Sequence, residues 1–133
     1  MKADHYKYHY TRIPLYHGGL HVLVANDLAA AYKEAGYADR PNNENINDWG
    51  ALAWEELNGG KFGVYCLFRP DAEPRLVAHE ALHLCTYLMK HVGIQPDLVN
   101  DEPMAYLIAW FVHEITYALT SKQVKAKRTI KLR

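Results

Sequence analysis

One stretch of the chain restricts its fold more than any other: Arg75 to Val92, an apolar-periodic run closed by Gly93. Leu76, Val77, Leu84 and Leu88 recur at helical spacing. Asp71 to Pro74 supply an acidic start and a first-turn proline, and glycine follows the end. The spacing predicts a long helix with one buried face. Inside it lies His79-Glu80-Ala81-Leu82-His83. Positions i and i+4 of a helix differ by about 40° and one turn of rise, so both imidazoles leave from one face. Their nitrogens can then sit about 2.0–2.1 Å from a single zinc ion. Glu80 points about 100° further round, beside the metal rather than on it, where a base that takes a proton from a zinc-activated water has to stand. Two surface histidines on an amphipathic helix are the competing reading.

The rest of the chain reads as one α+β domain over residues 1–120 and a basic tail over 121–133. Tyr6, Tyr8 and Tyr10 alternate with Lys7, His9 and Thr11, the period of a strand with one buried face. Gly18-Gly19 and the apolar run Leu20–Val24 complete a hairpin, with the glycines giving positive φ to a two-residue turn. Asn26-Asp27 cap a short helix from Leu28 to Ala35 that ends at Gly36. Residues 38–48 are polar, with Pro41 and four asparagines, and form a loop. Gly50–Leu57 and Lys61–Phe68 flank Asn58-Gly59-Gly60 as a second hairpin. A connection over 94–100 leads to a second helix from about Asp101 to Leu119.

Length and composition suit that reading. The chain has 133 residues, half of them apolar, with 8 glycines and 6 prolines, which excludes fibrous and wholly disordered classes. Its formal charge is zero, which argues against a general binder of nucleic acid or membrane surfaces. That zero is an average. Ser121–Arg133 holds six basic residues and no acid, so the body carries −6 and the tail +6. A solvated terminus is the plain reading of the tail, and a contact with phosphate or an acidic patch is the functional one. Cys66 and Cys85, without a CxxC pairing, read as reduced buried thiols, with a single disulfide as the alternative. The first residues lack an apolar signal core, and no apolar run approaches the roughly 20 residues that span a bilayer. The expectation is a cytoplasmic protein with no membrane contact.

A catalytic zinc needs a third protein ligand. Downstream lies Asn100-Asp101-Glu102-Pro103-Met104-Ala105-Tyr106, and Glu102 follows His83 by nineteen positions. From the helix to this segment the sequence resembles the gluzincin-type zinc metallopeptidases of the zincin fold, in which a glutamate some twenty residues after HExxH, often following Asn, completes the site. The small size is similar to compact zincin-like proteins of phages and prophages, which would place the protein in the cytoplasm of an infected bacterial host. The resemblance covers roughly residues 61–119. Asp101 stands between Asn100 and Glu102, and Tyr106 occupies a position where the family often has an acid. Asp101 and Glu102 also suit the positive end of a helix dipole on their own account.

Geometry permits the assignment. Ten residues from His83 to Gly93 carry the chain about 15 Å along the helix, and residues 94–101 span at most about 26 Å. Glu102 returns beside His83 if the connection folds back along the first helix; a tight helix–turn–helix would strand it.

The resemblance implies a small, mainly antiparallel sheet packed on the motif helix, with the second helix completing the site. It implies zinc held by His79, His83 and Glu102, a zinc-activated water that hydrolyses a peptide bond, and Glu80 as general base. Tyr106 or, with a weaker claim, His113 would stabilise the oxyanion. Strand Lys61–Phe68 would be the edge on which a peptide or protein substrate adds. His91 is too far along the helix to share the metal and reads as solvated or substrate-facing. His5 and His9 make no site, His17 and His21 could meet across their turn, and Trp49, Trp54 and Trp110 read as core. Two other classes stand beside the peptidase. One is a zincin-like protein that holds metal and binds a host protein without cleaving; the other is a nucleic-acid-associated module acting through the tail.

Overall fold

The computed structural model describes residues 6–34 and 46–121. The basic tail beyond Ser121, the expected helix end at Ala35–Gly36 and most of the 38–48 loop lie outside the described residues. The elements are β1 (Lys7–Arg12), β2 (Gly19–Val24), α1 (Leu28–Tyr32), α2 (Ile46–Trp49), β3 (Ala51–Asn58), β4 (Lys61–Phe68), α3 (Pro74–Val92) and α4 (Glu102–Thr120). The short helix α2 falls where the sequence reads as loop. The fold is α+β, around one four-stranded sheet of order β1-β2-β4-β3.

That order is mixed. β1 with β2 and β3 with β4 run antiparallel, and the central β2–β4 pair is parallel. Phe62 to Phe68 are all buried, so β4 has no wet face, as expected of a strand in a parallel pair covered on both sides. The expected edge strand is therefore interior. The edges are β1 and β3.

Alternation divides the sheet's side chains between two cores. Leu20, Val22, Val24, Val64, Cys66 and Phe68 pack with Leu84, Leu88, Phe111 and Ile115 of α3 and α4. Leu23, Tyr65, Leu67 and Trp54 pack on the other face with α1 and Ile46. Each large side chain buried in this way contributes about 1.5–3 kcal/mol. Both cysteines are free and buried.

The long helices follow their signals closely. α3 has Pro74 in its first turn and Gly93 at its C-cap with φ 82°, where the Ile94 N–H donates to the Met89 carbonyl. Lys7 of β1 caps the far end of α4, donating to the Leu119 and Ser121 carbonyls at 3.3 and 2.7 Å. His9 pairs with Glu114 at 2.9 Å, so a strand expected to bury one face uses both.

The Asn58-Gly59-Gly60 hairpin forms as expected. Gly59 and Gly60 have φ of 58° and 82° between the paired residues Asn58 and Lys61, the backbone of a type I′ turn. The first hairpin differs. Gly19 already pairs with Arg12 inside the ladder, and the loop is six residues, closed by the Ile13 N–H to the Gly18 carbonyl. Gly18 alone of the two has positive φ, 113°, and a Cβ there would stand 2.8 Å from the Phe62 carbonyl oxygen. Gly18→Ala is expected to lower the unfolding free energy by about 2 kcal/mol, measured by urea titration.

His21 is held among tyrosines. Its Nδ1 lies 2.7 Å from the Tyr8 hydroxyl and its ring stacks on Tyr65 at 4.2 Å. Burial lowers its pKa from 6.5 to about 4, against a smaller opposing pull from Glu56. The folded chain thus keeps His21 neutral where the unfolded chain protonates it, and stability falls as pH drops from 6.5 towards 4. The loss from this residue approaches about 3 kcal/mol. Urea unfolding of the wild type and His21→Phe at pH 7, 5.5 and 4.5 is expected to show a flatter pH dependence for the variant.

Candidate metal centre

The buried stripe of α3 runs through Val77, Glu80, Ala81, Leu84, Cys85, Leu88 and Met89. His79, His83 and Tyr87 lie at i, i+4 and i+8 along one border of that stripe. This border faces a cleft of about 490 Å³ between α3 and the end of α2 with β3, lined by Trp49, Ala51, Leu52, Ala53, Arg75, Leu76, His79, Glu80, His83 and Tyr87. The volume falls within the range of ordinary ligand sites.

The two histidines meet as the helix spacing predicts. Their Nε2 atoms are 3.3 Å apart. Two nitrogens bound at about 2.05 Å to one tetrahedral ion stand about 3.3 Å apart, so the pair already has the spacing of two zinc ligands. Without an ion the same approach lets one ring N–H donate to the other nitrogen.

Glu80 is the only buried charged side chain among the described residues, at 7% exposure. Burial raises its pKa above the usual carboxylate range, with His79 and His83 opposing. It shares the apolar stripe because one step along the helix from His79 turns the side chain inward. A carboxylate held this way has a greater affinity for a proton than an exposed one.

The connection to α4 folds back along α3. The Met104 carbonyl lies 3.9 Å from the Cys85 sulfur, which sets the first turn of α4 beside the residues just after His83. Glu102 opens that turn and is exposed. Among the described residues no three His, Cys, Asp or Glu side chains converge closely enough to hold a metal, so the structure brings His79, Glu80 and His83 together and does not gather Glu102 with them. Tyr106, 72% exposed, and His113, also exposed, do not line the cleft. His91 stacks flat on Phe62 at 3.9 Å, away from the cleft.

Two cleft residues escape the sequence reading. Trp49 was expected in the core, but it is 46% exposed because α2 ends at the cleft and turns the indole towards it. Trp54 is buried in the core on the α1 face, and Trp110 is partly buried against the other core, the one under α3 and α4. Tyr87 stands one turn after His83. Its ring stacks on His83 at 6.3 Å, and its hydroxyl donates to the Ala53 carbonyl at 3.4 Å. As a phenol it is a hydrogen-bond donor at neutral pH, and burial, with Glu55 and Glu80 nearby, raises its pKa further. The period of His79 and His83, continued one step, was the signal that would have found it.

No helix of the described residues is long and apolar enough to cross a membrane. Compared with protein-family models, with curated proteins and with solved structures, the chain finds no match.

The raised pKa of Glu80 predicts a stability effect. Stability it lends to the folded chain is present below the unfolded carboxyl pKa and is lost as pH rises through the folded one. In metal-free protein, Glu80→Gln is expected to unfold at about the wild-type temperature at pH 4 and at a higher one at pH 7, measured by calorimetry.

Proposed function

We propose that this chain is a zinc-dependent peptidase of zincin-like type. The observation that carries the reading is the His79–His83 pair at the tetrahedral ligand spacing with the buried Glu80 carboxyl beside it, in a cleft bordered by β3, an edge strand among the described residues. His79 and His83 would hold the ion through Nε2, with Glu102 as the third ligand from the first turn of α4. Zinc supplies Lewis acidity at a peptide carbonyl and lowers the pKa of water towards about 7. Glu80 accepts the proton of the attacking water and delivers it to the leaving amine, a task suited to a carboxylate whose burial has raised its proton affinity. Among the described residues β3 is an edge of the sheet, and an extended peptide adds along it as a fifth strand.

A second reading is a metal-holding protein that binds a partner and does not cleave, favoured by Tyr106, which stands where the resembled family often has an acid. One experiment separates the two. Zinc content by elemental analysis is expected near one per chain for the wild type and below about 0.1 for His79→Ala, with Glu102→Ala also reduced. Glu80→Gln is expected to keep its zinc and lose about 10²–10⁴-fold in kcat on a quenched-fluorescence peptide library. Zinc without turnover in the wild type selects the second reading, and a zinc-free wild type overturns both.

A further inference from the structure

Among the described residues β3 is an edge of the sheet, and its outward-facing backbone groups form a definite set. In an antiparallel pair, residues alternate between those bonded to the neighbouring strand and those whose N–H and C=O point away. Asn58 and Lys61 flank a two-residue turn, where such a pair is mutually bonded. Counting back by two, Glu56, Trp54 and Leu52 bond to β4, while Leu57, Glu55, Ala53 and Ala51 face outward. β4 agrees: Phe68, opposite Ala51, gives its carbonyl to Ala25 beyond β2 rather than to β3. The Ala53 carbonyl that Tyr87 holds is therefore one that an added strand would need.

Tyr87 thus reaches the outward edge of β3 from the side of the cleft that bears the histidines. Its ring lies on α3 one turn beyond His83, and its hydroxyl crosses the cleft to β3. We infer that Tyr87 is a catalytic residue that changes partner when a peptide binds: the peptide N–H takes the Ala53 carbonyl, and the released Tyr87 hydroxyl donates to the peptide carbonyl beside the histidine pair. The exchange conserves hydrogen bonding. Ala53 trades an O–H donor for an N–H donor, and the phenol trades one carbonyl for another, so no buried polar group is left unsatisfied. A donor kept on the cleft wall at neutral pH then meets the oxygen on which charge develops during hydrolysis. The ligand class is an extended peptide with an unmodified backbone N–H opposite Ala53.

This inference rests on the peptidase reading, and its test has an arm that needs neither metal nor turnover. Full-length, metal-free protein is labelled with ¹³C at the tyrosine ring carbon bearing the hydroxyl, and the Tyr87 resonance is assigned by its disappearance in Tyr87→Phe. A capped Ala-Leu hexapeptide is expected to shift that resonance saturably. The same peptide N-methylated along its backbone is expected to bind at least tenfold more weakly and leave Tyr87 unmoved. In zinc-loaded protein, Tyr87→Phe is expected to lower kcat about 100-fold with KM within threefold of wild type. A Tyr87 resonance unmoved at millimolar peptide, or a kcat within twofold of wild type, overturns the assignment. A wild type that binds zinc but cleaves nothing overturns the peptidase reading alone, and the resonance in metal-free protein then decides for or against the exchange of partners.

Discussion

Strand β4 is buried from Phe62 to Phe68 on both faces, and a strand without a wet face has to be covered twice. Covering it with α3 and α4 on one side and with α1 and α2 on the other uses most of the chain's apolar residues. It also places β4 between β2 and β3. The hairpin partner β3 is then pushed outward to become the edge that borders α3. The cleft lies in this junction, between the last strand of the sheet and the flank of the helix packed across it.

The chemistry of the cleft follows from where the helix rotates its side chains. Glu80 belongs to the buried stripe and the histidines to its border, so one helix puts a desolvated carboxyl next to two accessible imidazoles. The energetic cost of burying that carboxyl is carried by the surrounding core, which contributes far more than one ionisable group can remove. The edge strand is managed as well. A bare row of backbone donors and acceptors invites uncontrolled pairing, and Tyr87 covers one of its carbonyls from α3. α4 is secured at the opposite end, where Lys7 holds its terminal carbonyls and His9 holds Glu114.

Local signals were legible wherever they are strong on their own. Pro74 and Gly93 bound α3 within a residue of expectation, Gly59-Gly60 make their turn, and His79 and His83 share a face because helix geometry allows nothing else. Signals that depend on a partner misled. Gly18-Gly19 look like a turn, yet Gly19 belongs to the ladder and only Gly18 takes a positive φ, at a place where the Phe62 carbonyl leaves no room for a Cβ. Trp49 looks like core, yet α2 ends at the cleft. Lys61–Phe68 reads as a strand but not as a central one. A continuous apolar run carries no information about its neighbours, and parallel pairing with β2 arises from residues some forty positions earlier in the chain.

The sequence by itself determined the two long helices, the Gly59-Gly60 hairpin, the pairing of His79 with His83 and the inward turn of Glu80, all of which arise within a few residues of chain. Tertiary structure alone decided that β3 is the edge, that Tyr87 reaches across to Ala53, and that α4 returns beside Cys85 without gathering Glu102 with the histidines. Those outcomes depend on which distant segments bury one another, and that competition is settled by packing the whole chain rather than by any one stretch of it.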